Sequence, residues 1–257
     1  QALKNSGADI VYLSLPNSMH FPWSKKILKL GYHLIVDKPI TTKVGELNQL
    51  IRIAKRKKLL LTEATFFNYH NQFGFVKKFI GKPSNIEQVF VNFTIPMPKK
   101  NSLLLSPKFH GGTFMDMSPY TASINRILFE ERPKKKSIIV KKNIQKLIIS
   151  YDVFLKYKTK VFIGTFKFGK KYNNKILIFL RNRSIEINRA FSPPSDKKLE
   201  IQITKKNRVQ KVFVKKDNCF ENYLSEVIKN IKNKQYTFYF DQMIKDENFR
   251  FKLLKVN

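Results

Sequence analysis

The stretch Asp9-Ile-Val-Tyr-Leu-Ser-Leu15 decides the fold. It is a near-continuous apolar run, which is typical of a strand buried on both faces of a parallel sheet. Helix and strand patterns then alternate along the chain, with a helix over 22–30, a strand over 33–38, a helix over 43–57 and a strand over 59–63. Crossovers of this length predict a right-handed parallel sheet whose strand ends meet at one edge.

The pattern changes after Ala64. The later segments read as a helix over 72–80, a strand over 87–95, a helix after the glycine pair that reaches about residue 129, strands over 137–215, and helices over 220–232 and 241–254. The predicted fold class is therefore α/β. Residues 1–66 would form part of a Rossmann domain, a parallel sheet whose first βα units are missing. Residues 67–257 would form an α+β domain with a large, mostly antiparallel open sheet.

Composition limits the class of protein. Hydrophobic residues make up 42% of the 257 residues. The sequence contains no run of about 18 apolar residues, so it predicts no membrane span. The single cysteine, Cys219, excludes an internal disulfide and fits a reducing compartment, so we expect a cytoplasmic protein. The net charge of +32 admits two interpretations, a nucleic-acid binder or a lysine-rich composition bias. Because the charge is spread thinly along the chain, the second is favoured, although a positive field still attracts anionic ligands.

Three motifs follow one another along the chain. They are Leu15-Pro16-Asn17-Ser18-Met19-His20, then Asp37-Lys38-Pro39, then Gly111-Gly-Thr-Phe-Met-Asp-Met-Ser-Pro-Tyr120. In this order and at these separations they resemble the glucose–fructose oxidoreductase, inositol dehydrogenase and MocA family. The resemblance implies a nicotinamide-binding Rossmann domain joined to an α/β domain with a broad open sheet.

The resemblance also implies roles for individual residues. Lys38 takes the place of a lysine that reaches both substrate and nicotinamide, and Asp37 replaces the usual glutamate, one methylene longer, beside the ribose. Asp116 and Tyr120 match a pair that binds and deprotonates a sugar hydroxyl. The implied catalytic residues are thus Lys38, Asp116 and Tyr120. The implied cofactor-binding residues are Leu15, Pro16, Asn17, His20, Asp37, Lys38 and Pro39.

The chemistry itself requires such residue types. Oxidation of an alcohol needs a base for the hydroxyl proton while hydride leaves the same carbon. A nearby ammonium or a cationic nicotinamide would lower the pKa of Tyr120 toward working pH. Residues four apart share one helix face, so Asp116 and Tyr120 would act together. Two alternatives stay open: Asp116 caps a helix that starts near Ser118-Pro119, or Tyr120 is an ordinary core residue.

The positions of other polar residues in the sequence predict further contacts with the substrate. Tyr69 and His70 follow the third strand and His110 precedes the glycine pair, so these three, with Lys38, Asp116 and Tyr120, are the predicted substrate-binding residues. Glu63 is read as structural. The four histidines and one cysteine have no ligand-like spacing, so no metal site is predicted.

No Gly-x-Gly-x-x-Gly phosphate turn occurs in the sequence. We therefore interpret the chain as the later portion of an oxidoreductase, expect weak NAD(H) binding by these residues alone, and cannot distinguish NAD from NADP. The predicted function is hydride transfer between a nicotinamide and an alcohol carbon of a sugar or polyol, in a homo-oligomer formed through the second-domain sheet. The alternatives are a non-catalytic binding protein on the same scaffold and a basic nucleic-acid binder.

Overall fold

The computed structural model describes residue 3 and residues 5–255, without the side chains of 142 and 143. Its first lobe is a parallel sheet in the order β1 (Ile10–Leu13), β2 (His33–Val36) and β3 (Leu61–Glu63). The helices α1 (Asn17–Leu30) and α2 (Glu46–Lys57) make the two crossovers. The predicted partial Rossmann sheet is confirmed, and Gly31 ends α1 in the left-handed conformation expected of a helix cap.

Helix α1 starts five residues earlier than its sequence pattern indicated. It begins at Asn17, so Pro22 lies inside the helix instead of in its first turn. His20 and Ser24 within α1 are fully buried. We attribute the earlier start to this packing, which offsets the backbone hydrogen bond that Pro22 cannot donate.

The second lobe is built on a mostly antiparallel sheet. In the described residues it has eight strands, in the order β11-β10-β9-β8-β4-β7-β6-β5. Their bounds are β4 (Ile86–Pro96), β5 (Lys135–Ile144), β6 (Leu147–Lys156), β7 (Val161–Gly169), β8 (Asn173–Leu180), β9 (Arg183–Asn188), β10 (Leu199–Lys205) and β11 (Arg208–Val214). The pair β4–β7 is parallel and the other neighbours are antiparallel. The predicted fold class is thereby confirmed.

Helices α3 (Asn71–Ile80) and α4 (Thr113–Phe129) cover one face of this sheet. The main core lies between them and the sheet, and alternate residues of the central strands β6 and β7 point into it. The opposite face of the sheet is not covered by any described element. Helix α4 thus runs along the inside of the second lobe with its N-terminus toward the first.

The closing helices α5 (Cys219–Lys232) and α6 (Thr237–Leu254) return to the first lobe. Tyr223, Val227 and Tyr239 pack with residues of β2 and β3, and Phe240 and Met243 pack with the core beneath the same sheet. The chain therefore begins and completes its first lobe with segments far apart in sequence, and α6 lies between the two lobes.

Candidate active site

Lys38 and Asp116 form the centre of the site. Lys38 follows the carboxyl end of β2, and Asp116 lies in the first turn of α4. The Lys38 ammonium pairs with the Asp116 carboxylate and also donates to the main-chain carbonyl oxygen of Asp116 at 3.0 Å. Their side chains are only 20% and 16% exposed. This contact joins the ligand-binding edge of the first sheet to the helix of the second lobe.

Tyr120 lies one helical turn beyond Asp116, and its ring is next to Lys38. The ammonium is 5.0 Å from the centroid of the Tyr120 ring, a cation–π distance. Phe67, Phe93 and Phe191 pack against the ring, at centroid distances of 5.7, 5.5 and 5.2 Å. The ring is held by aromatic neighbours while the residue remains partly exposed. The structure thus brings together all three predicted catalytic side chains.

The electrostatics differ in one respect from the sequence-based expectation. Burial lowers the pKa of Lys38, but Asp116 and Tyr120 raise it further, so the pKa lies above its ordinary value. Burial raises the pKa of Tyr120; Lys38 acts in the opposite direction, and Asp116 and Glu63 raise it again. The predicted lowering of the Tyr120 pKa is therefore wrong for the protein alone, because burial outweighs the ammonium. Both groups are protonated at neutral pH.

The glycine pair lets α4 start where it does. A Cβ on Gly111 would lie 2.5 Å from the carbonyl oxygen of Leu104, and one on Gly112 would lie 2.9 Å from that of Ile148. Helix α4 then begins at Thr113 and continues through Pro119. The alternative that Asp116 caps a helix starting near Ser118 is wrong, since Asp116 is already helical. Asp116 and Tyr120 consequently share one face of α4.

His20 connects, through its buried ring, the two turns that are predicted to bind the cofactor. Its ring nitrogens lie 2.8 Å from the carbonyl oxygen of Pro39 and 2.7 Å from that of Leu15. The side chain is fully buried. Any part it plays in a cofactor site is therefore to fix the two turns, and not to touch the cofactor.

Asp37 is held by two hydroxyl groups that sequence analysis did not single out. Tyr12 donates to one carboxylate oxygen, and Ser14 donates to the other at 2.6 Å. Both come from the end of β1, two residues apart, and so lie on the same side of the strand. That spacing was the available signal. Asp37 itself raises the pKa of Lys38, although less than Asp116 does.

Asn17 and His110 connect the two lobes near the site. The Asn17 amide donates to the main-chain carbonyl oxygen of His110 at 2.9 Å, and the His110 ring lies 2.9 Å from the hydroxyl oxygen of Thr42. Loop 97–112 of the second lobe is thereby attached to both turns of the first. This places Asn17 and His110 at the border of the site.

Tyr69 and His70 lie elsewhere. Tyr69 lines a separate polar cavity of about 30 Å³, together with Glu63, Arg126 and Asp246. His70 is 1% exposed and caps α3, with its Nδ1 accepting from the backbone N–H of Gln72 at 3.1 Å. In this structure neither side chain joins Lys38, Asp116 and Tyr120. Their position after β3 in the sequence indicated that these residues follow a strand that ends near the site. It did not indicate the direction in which their side chains point.

The described residues lack both a metal-binding group and a membrane-spanning helix. They contain no group of three or more His, Cys, Asp or Glu side chains placed to hold a metal ion. Nor does any helix in this part of the chain have both the length and the apolar character needed to cross a membrane.

Residues 1–65 match the model of an oxidoreductase family with an NAD-binding Rossmann fold, the Gfo/Idh/MocA family. A dTDP-3,4-didehydro-2,6-dideoxy-alpha-D-glucose 3-reductase from Streptomyces antibioticus is 24% identical over 232 residues, 88% of this chain and 70% of the relative. The enzyme of the same name from Saccharopolyspora spinosa is 26% identical over 82% of this chain and 64% of its own. The first 65 residues thus match the Gfo/Idh/MocA family, and the relatives that align over most of the chain are named as sugar-nucleotide reductases.

Solved structures show the same fold over nearly the whole chain. KijD10, a 3-ketoreductase from Actinomadura kijaniata in complex with NADP and TDP-benzene, superposes with a TM-score of 0.91 at 18% identity over 99% of this chain and 80% of its own. An aldose-aldose oxidoreductase from Caulobacter crescentus gives 0.88 at 16% identity over 99% and 78%. The relatives named above are thus oxidoreductases of sugars and sugar nucleotides.

The residues present fit one side of the family's nicotinamide dinucleotide. Lys38 and Asn17 stand at the ends of two adjacent parallel strands, where such ligands bind, and Lys38 carries a permanent positive charge there. The glycine turn that binds the pyrophosphate is not in the sequence. Lys38, Asn17 and the turn around Asp37 would therefore hold the nicotinamide side.

Proposed function

We propose that this protein is an NAD(P)-dependent oxidoreductase of sugars in which Lys38, Asp116 and Tyr120 form the reacting group. One observation supports this most: the Lys38 ammonium lies between the Asp116 carboxylate and the Tyr120 ring at the carboxyl edge of the parallel sheet. The proposal includes a division of the chain into two units. Residues 1–66 would bind the cofactor, and residues 67–257 would bind the substrate. The single cysteine supports a reducing, cytoplasmic location.

The protonation states favour reduction of a keto group. A bound reduced nicotinamide supplies the hydride for the carbonyl carbon. Tyr120, neutral because its pKa is raised, gives its proton to the carbonyl oxygen as the C=O bond becomes a C–O single bond. Lys38 stabilises the negative charge that develops on that oxygen and then on the phenolate. Asp116 keeps Lys38 charged and oriented toward the ring.

We infer that the substrate is a sugar carried on a nucleoside diphosphate. Two curated relatives are named as reductases of a dTDP-linked keto sugar, and a structural neighbour was solved with a TDP compound. The strongly positive charge of this chain attracts such dianionic ligands. Loop 97–112, which carries Lys99, Lys100 and Lys108, is fixed to the cofactor turns through His110.

The test of the chemistry is Tyr120→Phe, with Lys38→Met beside it. We expect kcat to fall by about 100- to 10,000-fold in Tyr120→Phe, since general acid catalysis contributes that much. The matched control is Tyr172→Phe, which removes an exposed phenol hydroxyl bonded to Ser192 and should leave kcat unchanged. Full turnover in Tyr120→Phe or Lys38→Met would contradict the assignment. Comparing a dTDP-linked keto sugar with the same sugar unlinked decides the substrate class.

We also infer that the uncovered face of the second sheet binds a second copy of the chain. Phe154, Ile163, Phe90 and Leu177 lie directly opposite one another on the four adjacent strands β6, β7, β4 and β8. Their row points away from the core, and Phe154 is 43% exposed. Ion pairs lie near both ends of the row, Lys141 with Asp152 and Lys175 with Glu186. An apolar centre with a charged rim is the anatomy of a protein interface.

A further inference from the structure

Helix α6 makes polar contacts to both segments that carry the reacting group. Glu247 accepts a hydrogen bond from the hydroxyl of Thr41, three residues after Lys38. One helical turn further on, Arg250 donates from Nε to the hydroxyl oxygen of Ser118 at 2.9 Å. Ser118 lies midway between Asp116 and Tyr120 on α4. Glu247 and Arg250, three residues apart, share one face of α6.

These contacts are deeply buried. Glu247 is 8% exposed, Arg250 2%, Thr41 1% and Ser118 0%. The guanidinium has no carboxylate within ion-pair distance among the described residues, and its Nη2 is buried without a partner there. A buried charge without an ion-pair partner costs free energy that a single hydrogen bond does not fully offset. The bond to Ser118 is therefore the one side-chain hydrogen bond that holds Arg250 in the structure as described.

A second pair strengthens the attachment of α6 to α4. Arg126 of α4 makes two hydrogen bonds to the carboxylate of Asp246, at 2.9 and 3.0 Å. Thus three neighbouring positions of α6, residues 246, 247 and 250, fix α4 and the turn after β2 to one rigid element. The same helix therefore contacts both lobes, the one that carries Lys38 and the one that carries Tyr120.

We propose that Arg250 and Glu247 are positioning residues that set the register of α4 against the turn after β2, and so keep the Lys38 ammonium on the Asp116 carboxylate and over the Tyr120 ring. The proposal deepens the proposed function and rests on it for its catalytic consequence. Its structural content, the placement of Lys38, does not depend on any activity.

The first test measures Lys38 directly. Site-resolved competitive acetylation compares Lys38 with Lys160, a buried lysine paired with Glu131 in the second lobe at 2.7 Å. In Ser118→Ala and Arg250→Met we expect the Lys38-to-Lys160 labelling ratio to rise about tenfold, the change in free amine that follows when its pKa falls by about one unit. Ser118→Ala removes only one hydroxyl and tests the idea if Arg250→Met does not fold.

The matched control is Arg183→Met. Arg183 also donates to a distant residue, the main-chain carbonyl oxygen of Phe79 at 2.7 Å, and stacks on the Phe79 ring, but it lies on β9 away from the site. It should leave the ratio unchanged. An unchanged ratio in folded Ser118→Ala, or an equal rise at Lys38 and Lys160, overturns the proposal.

The second test separates the catalytic consequence from the first. In Ser118→Ala and Arg250→Lys, kcat should fall about 10- to 100-fold, the effect of a misplacement of about 1 Å, while the KM for the nicotinamide stays unchanged. Arg250→Lys should lose less than Arg250→Met. If the wild type itself shows no turnover, the proposed function fails while the labelling ratio still decides the position of Lys38.

Discussion

The Lys38 ammonium is bound twice by one residue, through the carboxylate and the main-chain carbonyl oxygen of Asp116. The carbonyl contact fixes where the ammonium lies, whereas the carboxylate fixes its charge, because Asp116 is the largest influence that raises the Lys38 pKa. Substitution of the side chain alone therefore separates position from protonation.

Asp116→Asn should shift the pH dependence of turnover. Asp116 raises the pKa of both Lys38 and Tyr120, so its neutral replacement lowers both, and the alkaline limb of the kcat/KM profile moves to lower pH. A profile measured up to about pH 11 detects the movement. Asp152→Asn is the control, since Asp152 pairs with Lys141 on the uncovered face of the sheet. An alkaline limb that stays in place would show that neither group titrates in the reaction.

His70→Asn should remove a pH dependence of stability. Burial lowers the pKa of His70 below its ordinary value of 6.5, although Asp217 acts in the opposite direction. Below pH 6.5 the unfolded chain therefore binds more protons than the folded one, and the stability that His70 contributes is lost as the pH falls from 6.5 through the folded pKa. Asparagine keeps a capping oxygen and does not titrate.

Urea unfolding at several pH values measures this difference. The wild type should lose more stability than His70→Asn over that range. His33 adds the same pH dependence of stability to the wild type and to His70→Asn. Burial lowers the pKa of His33 as well, and its Nδ1 accepts a hydrogen bond from the backbone N–H of Leu60 at 2.8 Å. Parallel curves for the two proteins would rule out the role of the His70 cap.

At the scale of single elements, α4 depends on the close approach of loop 97–112. The N–H groups of Gly111 and Gly112 bond the carbonyl oxygens of Ser106 and Leu104, at 3.0 and 2.7 Å. No side chain fits between these backbones, since the clash at Gly111 is with main-chain atoms that have little freedom to move. The loop and the start of α4 are therefore one packed unit.

Gly111→Ala should destabilise the protein by about 1–3 kcal/mol, as overpacking does. Gly74→Ala is the control: Gly74 lies inside α3, an added Cβ meets no atom within 4 Å, and alanine should stabilise the helix by about 0.5–1 kcal/mol. Chemical denaturation gives both values. Equal effects of the two substitutions would show that the close approach is not tight.

The sequence predicted the type of most elements well and their ends less well. The apolar run at residues 9–15 predicted β1 because burial on both faces leaves a period that is visible locally. The start of α1 was not predictable from propensity, since His20 within it is fixed by Pro39, a partner distant in the chain. The same reason explains the site. Lys38, Asp116 and Tyr120 belong to recognisable motifs, but Glu247 and Arg250 act through contacts that no spacing in the sequence indicates.

At the scale of the whole molecule, one face of the second sheet remains to be covered. The apolar row through Phe154 and Leu177 crosses the middle of the sheet, whereas the edge strand β5 carries four lysines and the edge strand β11 carries Arg208 and Lys211. Charged edges discourage strand addition, so association is directed to the face.

Phe154→Lys combined with Leu177→Lys should therefore convert a dimer into a monomer. Two like charges in the apolar row would face their copies across the interface and would be buried without partners. Sedimentation velocity measures the change in mass. Val44→Lys is the control, because Val44 is 68% exposed in the loop before α2. A wild type that is already monomeric would refute the second copy.

The position of α6 in the chain has a consequence for synthesis. The ribosome synthesises Lys38 first, Tyr120 some eighty residues later and Arg250 well after both. Until α6 emerges, the contacts of Glu247 and Arg250 are missing, while those of Lys38, Asn17 and His110 can already join the two lobes. If α6 positions them as proposed, the nascent polypeptide carries all three reacting side chains long before their alignment is complete.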